Sequence, residues 1–564
     1  MYVSDRLRAD DAEPAVPVGG EARSSSAEDD VGDGAPSDAM GAAPRAAAAR
    51  PEPNPDPDPN PDPDPNHAPD PAPEPDAGSH RGVALVIDLD GTLVPVDTLH
   101  ESALGLIALG FGPLAAAAPE LARAARLGKS PLKARITDRV TIDAAGLPYR
   151  ESVLALIREA RADGRFVMLA TASDQRVADA VAAHLGLFNA VEGSDGTVNL
   201  GGHAKADMLI ARFGRHGFDY VGDAPRDLPV WASARRVITA GASPGLIRQA
   251  EALTRPDAAP EALHLDPASQ GLGRIRPYIR AMRPHQWMKN TLVFLPLLAS
   301  HQSGAGAWLT ALLAFAAFSL VSSSVYCVND LLDLDADRAH PRKRFRPFAS
   351  GAVPAMHGLL MGAVLFCVGF GLAWAVSDML FGVLSVYFGA TLLYSMALKR
   401  ELVIDICMLA GLYTLRVIAG SMALQLEVSP WMLALSVFLF LSLAAMKRQT
   451  ELVDLAAEGK SETSGRAYRA DDLPVVTMMA IAAGYTAVLV LALYIYSPTV
   501  QRLYMSPLLL WGAPPILLYW SSRMVMIAHR GQMNDDPVLF AIRDPLSWIC
   551  GAGMLACAMV AKWY

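Results

Sequence analysis

Two carboxylates that could carry out phosphoryl chemistry follow a short apolar run near residue 85. Residues 83–87 read Val-Ala-Leu-Val-Ile, and residues 88–92 continue as Asp-Leu-Asp-Gly-Thr. If the apolar run is a strand, Asp88 and Asp90 point to the same side, because side chains alternate along a strand. One carboxylate can attack phosphorus while the other handles the proton of the leaving group, and Gly91 lets the backbone approach a phosphate.

Four further polar residues follow in an order that fits the same chemistry: Thr171, Lys205, Asp223 and Asp227. Together with the acid pair they resemble the four motifs of the haloacid dehalogenase (HAD) superfamily. Residues 81–255 are similar to the phosphatase branch of that superfamily. The alternative is a HAD-like domain that has lost catalysis and is retained for packing.

The HAD resemblance implies a role for each of these residues. Asp88 would be the nucleophile that forms an aspartyl-phosphate, and Asp90 the general acid and base. Thr171 and Lys205 would hold the phosphoryl oxygens. The implied Mg²⁺ site is made of carboxylates, namely Asp88, Asp90, Asp223 and Asp227.

A second acid-rich motif follows a long apolar segment further along the chain. Residues 329–337 read Asn-Asp-Leu-Leu-Asp-Leu-Asp-Ala-Asp, and a basic group follows at 342–346. Asp330, Asp333 and Asp337 recur at three and four residues, so on a helical end they share one face and can bind a divalent cation. Acids at a membrane boundary are costly unless they bind something. We predict a Mg-diphosphate site that includes Asn329; the alternative is an acidic loop balanced by a basic one.

This motif, with nine predicted spans, resembles the UbiA family of intramembrane prenyltransferases over residues 278–564. Aromatic prenyltransferases of that family repeat an acid-rich motif after the sixth span, whereas residues 447–452 here read Lys-Arg-Gln-Thr-Glu-Leu. This departure, with the stretches at 283–290 and 343–347, looks like the decaprenyl-phosphate phosphoribosyltransferase branch. The resemblance implies that phosphoribosyl pyrophosphate donates its phosphoribosyl group to a polyprenyl phosphate.

Two phosphorylated substrates call for one metal cluster and a cationic wall. In that branch Asp330, Asp333 and Asp337 would be the catalytic metal ligands. The cationic candidates for the sugar phosphate or the lipid phosphate are Lys289, Lys343, Arg344, Arg346, Lys399, Lys447 and Arg448. Tyr394 is a further candidate. Lys399 could instead set the membrane topology, and Tyr394 could instead anchor its helix at the interface.

Two kinds of element must position these residues. Apolar runs at 83–87, 166–171, 220–222 and 237–240 alternate with helical stretches, as is typical of buried parallel strands with functional loops at their carboxyl ends. The mostly helical stretch at 98–162 predicts a cap over the site. From residue 287 onward, nine segments are long and apolar enough to be spans: 287–303, 306–328, 354–376, 379–398, 402–424, 429–446, 474–497, 503–521 and 545–563. The first is short enough to tilt or break.

Charge and composition complete the predicted organisation. The 564 residues carry a formal net charge of −9, but residues 1–80 hold 18 Asp and Glu against 5 Lys and Arg. The acidity therefore belongs to a Pro- and Asp-rich tail, predicted to be disordered, and nothing favours nucleic-acid binding. The predicted order is this tail at 1–80, an α/β HAD-like domain with a helical cap at 81–255, a linker at 256–277 and an all-α polytopic membrane domain at 278–564.

Location follows from the basic residues and the cysteines. Lys and Arg concentrate in the loops after the second, fourth, sixth and eighth segments, which predicts that these loops and the α/β domain face the cytoplasm. The N-terminus resembles no signal peptide. The five cysteines form no Cys-x-x-Cys pair, as expected in a reducing compartment. We therefore predict a multi-pass protein of the cell (inner) membrane.

Three functions remain open from the sequence. The first is a Mg²⁺-dependent phosphoribosyltransferase acting on a polyprenyl phosphate, with a HAD domain that removes the remaining phosphate from the product. The second is a prenyltransferase that uses a prenyl diphosphate and an aromatic or other acceptor. The third is a transporter or scaffold, which the placement of the acids in loops on one membrane face disfavours.

Overall fold

The structure is a computed structural model that describes residues 82–109, 111–253, 261–300, 302, 304–459, 466–533 and 536–563. The predicted tail at 1–80 lies outside the described residues. Within them, an α/β part is followed by a helical part with long apolar helices. The predicted fold class is therefore confirmed for this part of the chain.

A six-stranded sheet forms the centre of the α/β part. Its strands are β1 (Ala84–Ile87), β2 (Val167–Asp174), β3 (Ala190–Ser194), β4 (Phe218–Gly222), β5 (Arg236–Ala240) and β6 (Leu263–Leu265). All are parallel, in the order β3-β2-β1-β4-β5-β6. Every residue of β1 is buried, as a continuous apolar run predicts for a strand covered on both faces. The carboxyl ends of β1, β2 and β4 meet at one edge, which brings their polar residues together.

The described residues of the α/β part form eight α-helices: α1 (Thr98–Ala108), α2 (Phe111–Leu127), α3 (Lys129–Thr137), α4 (Glu151–Ala162), α5 (Gln175–Leu185), α6 (His203–Phe213), α7 (Leu228–Trp231) and α8 (Pro244–Glu251). Helices α4 and α5 bury their apolar residues on one face of the sheet, and α6, α7 and α8 on the other. The predicted cap at 98–162 is thus too long, because α4 packs on the sheet as a crossover helix. Only α1 to α3 remain as the cap.

Residues 261–281, between the two halves, contain a strand and a helix. Residues 263–265 pair with β5 as the sixth strand, and α9 (Leu272–Ala281) follows. A three-residue Leu-His-Leu strand is too short to reveal itself by its pattern alone. Residues 261–277, the described part of the predicted linker, therefore contribute to both neighbouring parts.

The helical part continues with α10 (Leu295–Ala299), α11 (Ala305–Leu332), α12 (Leu334–Ala339), α13 (Ala355–Val376), α14 (Asp378–Met396), α15 (Ile404–Ala423), α16 (Pro430–Ala457), α17 (Leu473–Ile495), α18 (Pro498–Leu503), α19 (Ala513–His529), α20 (Pro537–Arg543) and α21 (Pro545–Trp563). Seven helices among the described residues are long and apolar enough to cross a membrane: α11, α13, α14, α15, α16, α17 and α21.

The two other predicted spans are interrupted. Segment 287–303 forms a 3₁₀ helix at Pro284–Phe294 followed by the short helix α10. Pro296 lies in the first turn of α10, where its missing N–H is tolerated. Segment 503–521 is replaced by a 3₁₀ helix at Pro507–Gly512 and by α19, which has 17 residues. The prediction of nine spans thus corresponds to seven long helices and two broken or shorter ones.

The two halves are in contact through cap helix α1. Leu104 of α1 lies in a buried apolar cluster with Leu331 and Leu334 of the membrane half. Glu101 forms two hydrogen bonds with the Arg338 guanidinium, at 2.9 and 3.0 Å, and both side chains are nearly buried. The α/β part therefore packs against α11 and α12, which carry the second acid motif.

Candidate active sites

Three carboxylates converge at the carboxyl edge of the sheet. Asp88 follows β1, and Asp223 and Asp227 follow β4; one oxygen of each lies within 4.8 Å of the others. The two amides of Asp223 and Ala224 donate to Asp227, at 3.1 and 3.0 Å, which fixes the third carboxylate. Carboxylate oxygens are the ligands that Mg²⁺ prefers. This donor set fits the predicted cation.

A buried lysine faces the same carboxylates from helix α6. Lys205 lies 3.0 Å from Asp88 Oδ1 and donates to the Tyr220 hydroxyl at 2.9 Å. Tyr220 in turn donates to Asp227 at 2.9 Å. Lys205, a predicted site residue, is thus in the site, and Tyr220 is a connecting residue that the sequence analysis did not identify.

Asp90 faces the cap instead of the three clustered carboxylates. Its Oδ1 accepts from the Thr98 amide at 2.9 Å, and Ser173 donates a short hydrogen bond to its other oxygen. Thr171 is fully buried at the end of β2, and its hydroxyl accepts from the Ser173 amide at 3.0 Å. Asp90 was predicted to be a metal ligand. Among the described residues, however, the group of carboxylates close enough to hold a metal consists of Asp88, Asp223 and Asp227 and does not include Asp90.

Burial and nearby negative charges raise the pKa values of three carboxyl groups in this site. Burial, followed by the charges of Asp88 and Asp227, raises the pKa of Asp223 to about 7. Burial and the charge of Asp88 also raise the pKa of Asp227, and burial and the charge of Asp97 raise the pKa of Asp90. A bound cation would favour the ionised carboxylates.

Residue 91 must be a glycine because the Asp223 carboxylate lies against its backbone. Its φ is +78°, and a Cβ at this position would lie 2.1 Å from Asp223 Oδ2. A side chain here would therefore displace a carboxylate of the cluster.

The membrane half contains a cavity of about 690 Å³ between its helices. Six of the predicted side chains line it: Lys289, Asn329, Lys343, Arg346, Tyr394 and Lys447. Arg344, Lys399 and Arg448, which were also predicted to bind phosphate, are not among its lining residues. The cavity thus contains four of the seven predicted cations, Lys289, Lys343, Arg346 and Lys447, from three separate segments of the chain.

The second acid motif lies across a break between two helices. α11 ends at Leu332 and α12 begins at Leu334, so Asp333 at the junction is exposed. Asp330 and Asp337 are buried and both accept from Arg346, at 3.3 and 2.6 Å. The prediction that all three acids share one helical face is wrong for Asp333, because the helix does not continue through the motif.

Arg283 completes this cluster from the segment before the first span. Its guanidinium lies 2.5 Å from Asp330 Oδ1 and 5.3 Å from the ring of Tyr326. Arg283 has a φ of +54°, a left-handed conformation that is strained for a residue other than glycine. The acid motif is therefore held by two arginines that also line the cavity.

Helix α16 presents Lys447 to the cavity and turns Arg448 away from it. Arg448 is fully buried, with its guanidinium 2.8 Å from Asp405 and in contact with Glu451. Glu451 also accepts from Arg466. Arg448 thus forms buried ion pairs within the helix packing and does not line the cavity, whereas Arg466, which was not predicted as a site residue, does line it.

A second, apolar cavity of about 590 Å³ lies beside the first. Met288 and Leu443 line it, while Lys289 and Lys447, one residue and one helical turn away, line the polar cavity. Trp548 and Leu555 of α21 form its far side. The two lysines thus lie close in the chain to residues that line the apolar cavity.

Comparison with known proteins agrees with this arrangement. The model of the UbiA prenyltransferase family matches residues 291–542. An uncharacterized protein of Sinorhizobium fredii, y4nM, is 35% identical over 485 residues, which cover 85% of this chain and 91% of that protein. The chain belongs to the UbiA prenyltransferase family. Because 485 residues exceed the length of the helical part, the likeness to y4nM extends into the α/β part.

Two further relatives match smaller shares of this UbiA-family chain. Nodulation protein NoeC of Azorhizobium caulinodans is 36% identical over 282 residues, which cover 49% of the chain and 90% of NoeC. The decaprenyl-phosphate phosphoribosyltransferase of Mycolicibacterium smegmatis is 39% identical over 179 residues, 31% of the chain and 56% of that enzyme. The protein is thus a multi-pass membrane transferase of the UbiA family.

The UbiA cavity also contains residues that the sequence analysis did not select. Arg283 lies in the stretch 283–290, which carried part of the resemblance, but it was given no part in the site. Asp536 also lines the cavity and forms an ion pair with Lys289. Arg416 and Tyr413 lie on α15. A single arginine in the middle of a predicted span was the available signal for Arg416.

Proposed function

We propose that the membrane cavity transfers a phosphoribosyl group from phosphoribosyl pyrophosphate to a polyprenyl phosphate. We further propose that the HAD-like domain hydrolyses the phosphate that remains on the ribose. Both sites would act on the cytoplasmic side of the inner membrane, where the basic loops are predicted to lie.

The observation that carries the proposal is the charge of the polar cavity. Seven basic side chains line it against two acidic ones, Glu451 and Asp536. A prenyl diphosphate and a neutral acceptor would bring one phosphorylated group. The proposed substrates bring three: the diphosphate and the 5-phosphate of phosphoribosyl pyrophosphate, and the phosphate of the lipid. The relatives named decaprenyl-phosphate phosphoribosyltransferase support the same assignment.

The transfer step is a substitution at the anomeric carbon of ribose. An oxygen of the polyprenyl phosphate forms a bond to C1, the bond from C1 to the diphosphate breaks, and inorganic pyrophosphate leaves. Arg283 and Arg346 would hold the diphosphate beside Asp330 and Asp337. Bound there, Mg²⁺ would supply positive charge for the leaving group.

The lipid would enter through the apolar cavity. A polyprenyl chain needs an apolar path from the bilayer, and Met288, Leu443 and Trp548 supply one. Its phosphate would then reach Lys289 and Lys447, which line the polar cavity.

The second step would occur at the sheet edge. Asp88 would attack the ribose 5-phosphate, and Asp90 would give a proton to the departing ribose oxygen. Water would then hydrolyse the aspartyl-phosphate and release inorganic phosphate. Lys205, together with the amides around Asp88, would stabilise the phosphoryl oxygens.

Transfer of label tests the first step. Purified protein in detergent would be incubated with Mg²⁺, a polyprenyl phosphate and ribose-labelled phosphoribosyl pyrophosphate, and label would be counted in the lipid extract. We expect Asp330→Asn to lower lipid-borne label at least about 100-fold, and Asp335→Asn, an exposed acid of α12, to leave it unchanged. Folded wild-type protein that labels no lipid would reject the proposal. A parallel reaction with a labelled prenyl diphosphate and an aromatic acceptor would test the prenyltransferase alternative.

Phosphate release tests the second step. The lipid product made by an Asp88→Asn variant would be isolated and given to fresh enzyme. Wild type and Asp163→Asn, which changes an exposed acid, should release inorganic phosphate, whereas Asp88→Asn should not. Equal release by all three proteins would show that Asp88 is not the nucleophile.

A further inference from the structure

Arg416 is a buried cation in the middle of transmembrane helix α15. It is 5% exposed and lines the polar cavity. Among the described residues no carboxylate forms an ion pair with its guanidinium, in contrast to Arg283, Arg346 and Arg448. A charged side chain at this depth is costly without a partner, so it indicates a ligand-binding role.

Neutral groups hold the guanidinium in a defined orientation. Its Nε donates to Asn290 at 2.9 Å, one Nη donates to the Leu412 carbonyl at 2.5 Å, and the other donates to the Tyr387 hydroxyl at 3.1 Å. Arginine has five N–H groups, so one on each Nη is left. This is the pair of donors that binds a phosphate in bidentate fashion.

Aromatic rings surround the same cation. The guanidinium lies 5.3 Å from the Phe318 ring, 5.0 Å from Tyr387 and 5.3 Å from Tyr413. Such rings stabilise a cation without neutralising it. The positive charge therefore remains available to an anion in the cavity.

The position of Arg416 separates it from the diphosphate end of the cavity. Ser322 of α11, whose hydroxyl is 3.1 Å from that of Tyr387, precedes Asp330 by eight residues. Eight residues of helix correspond to about 12 Å. An anion at Arg416 would therefore be well apart from one held at the acid motif. Lys289 lies at the same end of the cavity as Arg416, because its Nζ is 5.9 Å from the ring of Tyr413 and the Arg416 guanidinium is 5.3 Å from that ring. Lys289 differs from Arg416 in that it is paired with a carboxylate, Asp536.

We propose that Arg416 binds the 5-phosphate of the phosphoribosyl donor, with Asn290 as the residue that orients it. This proposal rests on the proposed function, because it assigns one end of the sugar substrate. The acid motif takes the diphosphate, the two lysines take the lipid phosphate, and Arg416 takes the phosphate monoester at the other end of the ribose.

Two variants test the assignment. Arg416→Gln removes the charge. Asn290→Asp keeps the shape of the side chain at position 290 but places a carboxylate beside the Arg416 guanidinium. The new carboxylate should form an ion pair with Arg416, so that the guanidinium no longer attracts a phosphate while the protein stays folded. We expect both to raise the KM for phosphoribosyl pyrophosphate at least about 10-fold and to leave the KM for polyprenyl phosphate within twofold. Ribose 5-phosphate should lose its competitive inhibition, whereas Mg-pyrophosphate should keep it.

Arg523→Gln is the matched control, since Arg523 lies on α19, is paired with Asp544 at 2.7 Å and does not line the cavity. A rise in the KM for the lipid alone would assign Arg416 to the lipid phosphate and overturn the proposal. Equal loss of inhibition by both probes, or no change in either, would also overturn it.

Binding separates this proposal from the proposed function. The thermal midpoint of the wild-type protein would be measured with ribose 5-phosphate and with ribose. A phosphate-dependent shift that Asn290→Asp abolishes would support the site even if no lipid is labelled. Absence of a shift in wild type that still labels lipid would reject the site and leave the transfer reaction standing.

Discussion

Asp90 is positioned by residues from two other segments of the α/β domain. Thr98 at the start of α1 donates its amide, and Ser173 at the end of β2 donates its hydroxyl. The Thr98 hydroxyl also lies 2.8 Å from that of Ser173. The proposed acid is thus linked to the cap, and movement of α1 would reach it directly.

Ser173→Ala should slow phosphate release from the lipid product about 10- to 100-fold, because a hydrogen bond to a charged group contributes about 1.5 to 3 kcal/mol. Its measurement is the rate of inorganic phosphate release. Ser233→Ala, whose hydroxyl donates to the Pro229 carbonyl away from the site, should be unaffected. Equal rates for the two variants would show that Ser173 does not orient Asp90.

Binding of Mg²⁺ at the sheet edge should depend on pH. The raised pKa of Asp223, about 7, means that this group favours the folded metal-free protein at low pH and loses that contribution as the pH rises toward 7. Mg²⁺ requires the ionised form, so its stabilising effect should grow between about pH 5 and pH 8. The thermal midpoint with Mg²⁺ and with a chelator would measure this. The part of this difference in thermal midpoint that Asp223→Asn removes is the effect of Mg²⁺ at the sheet edge. If that part did not change with pH, the prediction would be contradicted.

At the scale of elements, close helix packing positions the membrane cavity. A Cβ on Gly369 of α13 would lie 2.7 Å from a Val321 side-chain carbon and 3.1 Å from the Ala317 carbonyl of α11. Small residues allow transmembrane helices to approach in this way. Gly420 of α15 likewise meets the Val293 carbonyl, so the broken first span can pack against α15.

Gly369→Val should lower the thermal midpoint in detergent, since forcing a side chain into a filled contact costs about 1 to 3 kcal/mol. Gly371 provides the matched control on the same helix, because a Cβ there would meet nothing within 4 Å. Gly371→Val should leave the midpoint nearly unchanged. Identical midpoints for the two variants would contradict the packing argument.

At the scale of the whole molecule, helix α1 connects the α/β site with the membrane half. α1 contributes Thr98, whose amide donates to Asp90 at the sheet edge, and Glu101, which contacts Arg338. Arg338 directly follows Asp337 of the acid motif. The α/β domain therefore packs beside the acid motif of the membrane half. Such docking would raise the effective concentration of the product of the first step at the second site.

Glu101→Gln should loosen this contact, because breaking a buried ion pair costs about 3 to 5 kcal/mol. We expect faster hydrogen exchange in α1 and slower phosphate release from the lipid product, with hydrolysis of a small soluble phosphate ester affected less. Glu151→Gln breaks an exposed pair with Arg158 and should change neither quantity. Unchanged exchange in α1 of the Glu101 variant would show that the pair does not hold the halves together.

The sequence by itself determined the two-part architecture and the identity of most proposed site residues. Apolar runs ending in Asp88, Thr171 and Asp223 predicted parallel strands, since burial on both faces requires continuous apolar residues and polar residues collect at the strand ends. Long apolar segments predicted the spans because their length must match the bilayer. Both patterns are local, so they can be recognised without knowing which residues each segment packs against.

Only the tertiary structure decided which charges face a cavity and which face each other. Arg448 is adjacent to Lys447 in the sequence, yet its charge is satisfied by Asp405 from another helix. Asp333 is turned outward by a helix end that its spacing did not reveal. Arg416 lines the cavity, and no carboxylate in the described part of the chain forms an ion pair with it. Pairing of charges depends on residues far apart in the chain, so a local pattern identifies the ions but not their partners.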